Sequence, residues 1–190
     1  MQLQTLITSL LASVALATPV RRDVQGLYTL RLSTPYAPLD GLYLRALAPP
    51  VANATAGLAL GVTPSAKGES IVVYPVENPS SGLAELHTPE GGAVALVGRK
   101  GLLDLASILG DPAAAPVPEG ATIDWTSFKL GDVGAGPLGF AARAGRWVAF
   151  PTPAKNGEPP AWGVKFKDNA AVTTENYVQV TILYEPLKSE

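Results

Sequence analysis

An all-β fold is predicted from three features of the sequence. Glycine and proline recur at short intervals, the residues between them alternate apolar with polar, and the alternating stretches number about twelve. With 19 Gly and 18 Pro in 190 residues, few uninterrupted stretches are long enough for a helix, whereas a strand needs only about five residues.

The end strands show the pattern most clearly. Tyr28, Leu30 and Leu32 alternate with Thr29 and Arg31, and in 177–184 Val178, Val180 and Ile182 alternate with Gln179 and Thr181, as a strand with one buried face requires. Between them, strands are predicted at 42–47, 58–62, 71–76, 83–87, 93–97, 102–108, 122–130, 138–143, 147–150 and 162–167. The 102–108 stretch carries apolar residues at both periods and also fits a helical turn. The Ala- and Pro-rich residues 110–120 and residues 152–160 are predicted surface loops. Gly98-Arg99-Lys100-Gly101 reads as a tight hairpin turn with two exposed cations; an anion cradle would need a helix start behind it.

About twelve short strands are what a β-trefoil-like barrel requires. Bulky residues at Tyr74, Trp125 and Trp162 give the sequence a loose threefold echo with unequal spacings. A two-sheet β-sandwich is the alternative architecture.

Residues 1–17 read as a signal peptide: Leu6, Ile7, Leu10, Leu11, Val14 and Leu16 form a short apolar stretch closed by Ala15-Leu16-Ala17. Thr5, Thr8, Ser9 and Ser13 dilute it below the run of roughly 18 apolar residues that an anchor needs. Cleavage is expected after Ala17. Residues 18–22 then form a propeptide ending in Arg21-Arg22, a pair similar to a kexin-type processing site and also readable as an exposed basic pair. A cut after Arg22 leaves 190 − 22 = 168 residues and moves the net charge from −2 to −4. Residues 23–190 are expected to form one domain, long enough to bury a core without staples.

That core has to stand by packing and backbone pairing, since the chain has no cysteine. Thiol catalysis, iron–sulfur clusters and cysteine-based zinc sites are excluded with it. The mildly acidic balance and the lack of any basic run argue against nucleic acid or an anionic membrane as partner. Asn53-Ala54-Thr55 is an N-glycosylation acceptor. The polar C-terminal residues 185–190 lack the apolar tail of a glycolipid anchor.

No catalytic constellation is legible. The one histidine, His87, has no nucleophile-elbow serine nearby. Asp104, Asp111, Glu119, Asp124 and Asp132 crowd the middle of the chain, but Asp111, Glu119 and Asp132 stand beside Pro or Gly in loop positions typical of turn capping, so neither a catalytic carboxylate pair nor a metal site nor a cofactor is expected. All three tryptophans alternate with apolar neighbours or lead a strand and are read as core, with exposure weighed beside that reading at Trp147. Trp147, between Arg143 and Arg146, is the candidate ligand contact together with those two arginines, because an exposed indole offers a stacking face to a sugar ring.

From Leu83 to Phe166 the order of features resembles a family of small secreted fungal proteins, the phialide-development cell-wall protein and its IgE-binding-like relatives. The features are Leu83-Ala84-Glu85-Leu86, Ala93-Val94-Ala95-Leu96-Val97, the Ala/Pro-rich loop, the Trp125 strand, Leu138-Gly139-Phe140, Trp147-Val148-Ala149-Phe150-Pro151 and the Trp162 strand. Members of that family carry cysteines, one of them before a proline where this chain has Phe150-Pro151. The resemblance implies a non-enzymatic extracellular or cell-wall-associated protein linked to spore-bearing structures, with no catalytic residues to carry over; separately, a monomer with a cell-wall polysaccharide or glycan as partner is expected. A carbohydrate-binding β-trefoil lectin and a protease inhibitor presenting the 152–160 loop are the alternatives.

Protein recovered from the medium is expected to begin at Thr18 or Asp23 and to carry one glycan on Asn53. N-terminal sequencing and glycosidase treatment check both, and a start at Met1 contradicts the leader.

Overall fold

A computed structural model describes residues 26–47, 57–64, 70–131, 136–153 and 160–187. The fold is all-β. Its strands are β1 (Tyr28–Ser33), β2 (Arg45–Ala46), β3 (Leu58–Val62), β4 (Val72–Asn78) and β5 (Leu83–His87). There follow β6 (Ala93–Arg99), β7 (Leu102–Ile108), β8 (Thr122–Asp124) and β9 (Phe128–Leu130). The last four are β10 (Gly136–Phe140), β11 (Gly145–Pro151), β12 (Trp162–Asp168) and β13 (Val178–Pro186). A 3₁₀ turn at Pro112–Ala114, capped by the Asp111 side chain, lies in the Ala/Pro-rich loop.

The thirteen strands form one antiparallel sheet system. Six of them pair in a cycle: β1 with β4, β4 with β5, β5 with β9, β9 with β10, β10 with β13, and β13 back to β1. Three pairs lie outside the cycle, β2 with β3, β6 with β7 and β11 with β12. These join one another through β3–β7, β7–β12 and β12–β3. Each third of the chain thus supplies two strands of the cycle and the pair between them.

Three outcomes stand out when the predicted strands are set on this arrangement. The expected 122–130 strand is broken into β8 and β9, because Asp124 Oδ1 accepts the backbone N–H of Thr126 and Ser127, both at 3.1 Å, and turns the chain there. Residues 102–108 are a strand, since β7 pairs with β6, β3 and β12 at once. Tyr74, Trp125 and Trp162 do not mark equivalent places: Tyr74 lies on a cycle strand, Trp125 in the bend after β8, and Trp162 at the start of β12.

The β6–β7 hairpin is the tight turn that the sequence predicts. Lys100 (φ 50°) and Gly101 (φ 78°) both adopt left-handed backbone, the requirement of a two-residue type I′ turn. A close approach explains Gly61, where an added Cβ would sit 2.1 Å from the Trp162 carbonyl oxygen at the β3–β12 contact.

The main core gathers Leu30, Leu32, Leu86, Leu96, Leu105, Val164 and Ile182 around a chain of aromatic rings. Trp147 meets Phe166 edge-on at 5.3 Å, Phe166 meets Phe140 at 5.0 Å, and Phe140 meets Phe128 at 6.2 Å, the geometry aromatic quadrupoles favour. A smaller cluster, Ala95, Val97, Ala106 and Ile108, lies on the other face of β6 and β7 under Ala115, Ile123 and Trp125.

Of the three tryptophans, Trp147 meets the core expectation most fully. Trp147 is 6% exposed, and its indole N–H donates to the Leu138 carbonyl at 2.6 Å. Trp125 and Trp162 are half-buried and pack against different clusters. Trp147→Ala is accordingly expected to cost about 3–5 kcal/mol, the penalty for emptying a buried aromatic site, and Trp125→Ala and Trp162→Ala clearly less. Chemical denaturation checks the order; a Trp147→Ala midpoint matching the parent contradicts it.

Candidate functional site

The side chains singled out by sequence fall in four places. Trp147 faces the core, so the expected ligand contact at its ring is corrected: successive residues of a strand point to opposite faces, and the face that buries Trp147 sends Arg146 outward. Arg146 and Arg143 are both exposed. Arg143 Nη1 lies 3.8 Å from Asp168 Oδ2.

His87 stacks on Tyr74 across the β4–β5 pair, ring centroids 5.7 Å apart, and its Nε2 is 2.8 Å from Glu85 Oε2. The pair sits on neighbouring same-face positions of β5 and is part-exposed. No nucleophile is placed against it among the described residues.

Three of the five carboxylates have structural partners, while Glu119 is exposed. Asp104 pairs with Lys165 at 2.9 Å across β7 and β12. Asp111 Oδ1 accepts the Ala113 N–H at 2.9 Å. Asp124 holds its bend with Oδ1 and accepts the Ser127 hydroxyl at 2.8 Å with Oδ2. No group of three or more His, Cys, Asp or Glu that could hold a metal occurs among the described residues.

A feature that sequence reasoning missed is the aromatic pair Tyr36 and Trp162, 5.7 Å apart and tilted by 50°. Tyr36 is 42% exposed in the loop after β1, where its N–H donates to the Thr34 hydroxyl. Asp40 Oδ1 closes the same loop by accepting the Thr34 N–H at 3.0 Å. The two rings stand more than a hundred residues apart in the sequence, which hides the pair there; the folded chain brings the loop after β1 against the start of β12.

Ala17, Arg21, Arg22, Asn53 and Asp132 lie outside the described residues, as does 154–159 of the loop proposed for protease inhibition. No helix among the described residues is long and apolar enough to cross a membrane. Comparison with protein-family models, curated proteins and solved structures returns no match.

The capping role of Asp124 is testable. Asp124→Ala removes the acceptor for two backbone amides and one hydroxyl, and is expected to lower stability by about 1–3 kcal/mol. Thermal denaturation of the variant checks this, and an unchanged midpoint contradicts the role.

Proposed function

We propose that this chain is a secreted, non-catalytic extracellular or cell-wall-associated protein built on a β-trefoil. The trefoil reading is supported by the cycle of six paired strands, the three strand pairs that contact one another, and the division of both among successive thirds of the chain. The non-catalytic reading is carried by one observation: Asp104, Asp111 and Asp124 each have a structural partner that uses the carboxylate. A general acid or base must instead present its proton-transfer atom to a substrate. Leader and acceptor sequon supply the extracellular part of the proposal.

Carbohydrate binding is the second reading, and the Tyr36–Trp162 pair favours it, in place of the buried Trp147 ring. Two tilted, partly exposed rings offer faces for a sugar to stack on, and the Trp162 indole N–H has no hydrogen-bond partner among the described residues. Such a site would select neutral sugars by shape and stacking.

The folded protein is expected to release neither reducing sugar from wall polysaccharides nor peptides from a general protein substrate. Hydrolysis that disappears in His87→Ala or Asp124→Asn, with the circular dichroism spectrum retained, contradicts the proposal.

A further inference from the structure

We propose that the outer face of β6, β7, β12 and β11 binds an acidic polysaccharide through a row of cations assembled from separate stretches of chain. The row follows from register. Arg99 lies opposite Leu102, Leu102 opposite Lys167, and Lys167 opposite Arg146. Residues opposite one another on antiparallel strands share a face. The next residues along β7, β12 and β11, namely Leu103, Phe166 and Trp147, are buried in the main core, so the row points outward.

Two turns extend it. Lys100 stands in the β6–β7 turn beside Gly101, whose carbonyl accepts the Asp168 N–H at 2.8 Å. Arg143, in the turn before β11, lies 3.8 Å from the Asp168 carboxylate. Asp168 thereby gathers both basic turns while its Oδ1 accepts the N–H groups of Ala170 and Ala171 at 2.7 and 2.9 Å. Lys167 is buried and donates to the Ala171 carbonyl, so it contributes to the potential without touching a ligand. Arg99, Lys100 and Arg146 are exposed and have no ion-pair partner among the described residues.

The charge segregation is large for this protein. Arg99, Lys100, Arg143, Arg146 and Lys167 against Asp168 give 5 − 1 = +4, in a chain whose net charge is −2, so the remainder carries −2 − 4 = −6. A positive face on an otherwise acidic molecule attracts and orients anions. Arg99 and Arg146 are separated by three inter-strand steps of about 4.8 Å, roughly 14 Å in all. One small anion meets only one guanidinium at that spacing, whereas a polymer with an anion on successive units meets them in turn. Carboxylate and sulfate groups match the guanidinium fork. Single-stranded nucleic acid, the other polyanion, gains much of its affinity from bases stacking on aromatic rings, and the row contains none.

The row is separate from the Tyr36–Trp162 pair and does not depend on secretion, and neutral sugars distinguish the two sites. Binding is measured by calorimetry against polygalacturonate and heparin, with dextran as neutral polymer and oligothymidine as competing polyanion. The protein is expected to bind an acidic polysaccharide at low salt and to weaken steeply between about 50 and 200 mM salt. The double variant Arg99→Ala/Arg146→Ala is expected to lose about tenfold or more in affinity. Lys100→Asn, which tolerates the left-handed turn, is expected to weaken binding as a second, independent variant, and Lys129→Ala, an exposed cation outside the row, to leave it unchanged. Folding of each variant is checked by circular dichroism. Failure to bind either acidic polymer, equal affinity for oligothymidine, or parent-like binding by both the double variant and Lys100→Asn overturns the proposal.

Discussion

The pairing of the first strand with the last is the constraint on which the rest of the structure depends. β1 and β13 run antiparallel in register from Tyr28 opposite Pro186 to Ser33 opposite Thr181, and this contact completes the cycle of six strands. Without it β1 and β13 would each present an open row of backbone donors and acceptors. A chain with no cysteine cannot fasten its ends through a disulfide, so hydrogen-bonded backbone and apolar burial take that role. Leu30, Leu32, Ile182 and Tyr184 point from the two strands into the main core. On the outside, Arg31 donates through Nε and Nη2 to Glu185 Oε1 at 2.9 and 2.6 Å, and the hydrogen bond to Glu185 raises the guanidinium pKa above its ordinary value. Partly exposed ion pairs contribute at most about 1 kcal/mol, so burial and the strand ladder contribute more to the closure than this pair does.

Once the ends are joined, the three outer strand pairs can meet, and it is their meeting that creates surfaces no single segment holds. β7 touches β6, β3 and β12, which sets the 99–102 turn against Asp168 and leaves an acidic protein with one basic face. The loop after β1 in turn places Tyr36 beside Trp162, at the start of β12. Both features are products of long-range register, and the one buried cation among them, Lys167, is held by the Ala171 carbonyl, in keeping with a core in which no buried side-chain polar atom lacks a partner among the described residues.

Local pattern made most of the strands legible in the sequence, because half-buried strands alternate and turns here are written in glycine and proline. Three points escaped it for physical reasons. The break between β8 and β9 is made by one side chain, Asp124, accepting amides two and three residues on, and apolar periodicity carries no trace of it. The arginines beside Trp147 read as a sign of exposure, yet Arg146 occupies the opposite face and the indole N–H finds its partner in the Leu138 carbonyl. The basic face is hidden in the sequence because its charges stand at 99–100, 143–146 and 167: among these a search for runs of Lys and Arg sees only the dipeptide Arg99-Lys100, while the register of three strand contacts aligns the rest. The chemistry-bearing residues His87, Asp104, Asp111 and Asp124, conspicuous in the sequence, are each engaged with a neighbouring group in the fold.

Native-state amide hydrogen exchange tests the closure of β1 on β13 most directly, because protection reports the free energy of opening each element. If the two end strands complete the sheet system, their hydrogen-bonded amides will exchange as slowly as those of β11 and β12, in the globally protected class. Rapid exchange throughout β1 and β13 while β11 and β12 remain protected would show that the ends fray independently, and would contradict a fold that depends on their closure.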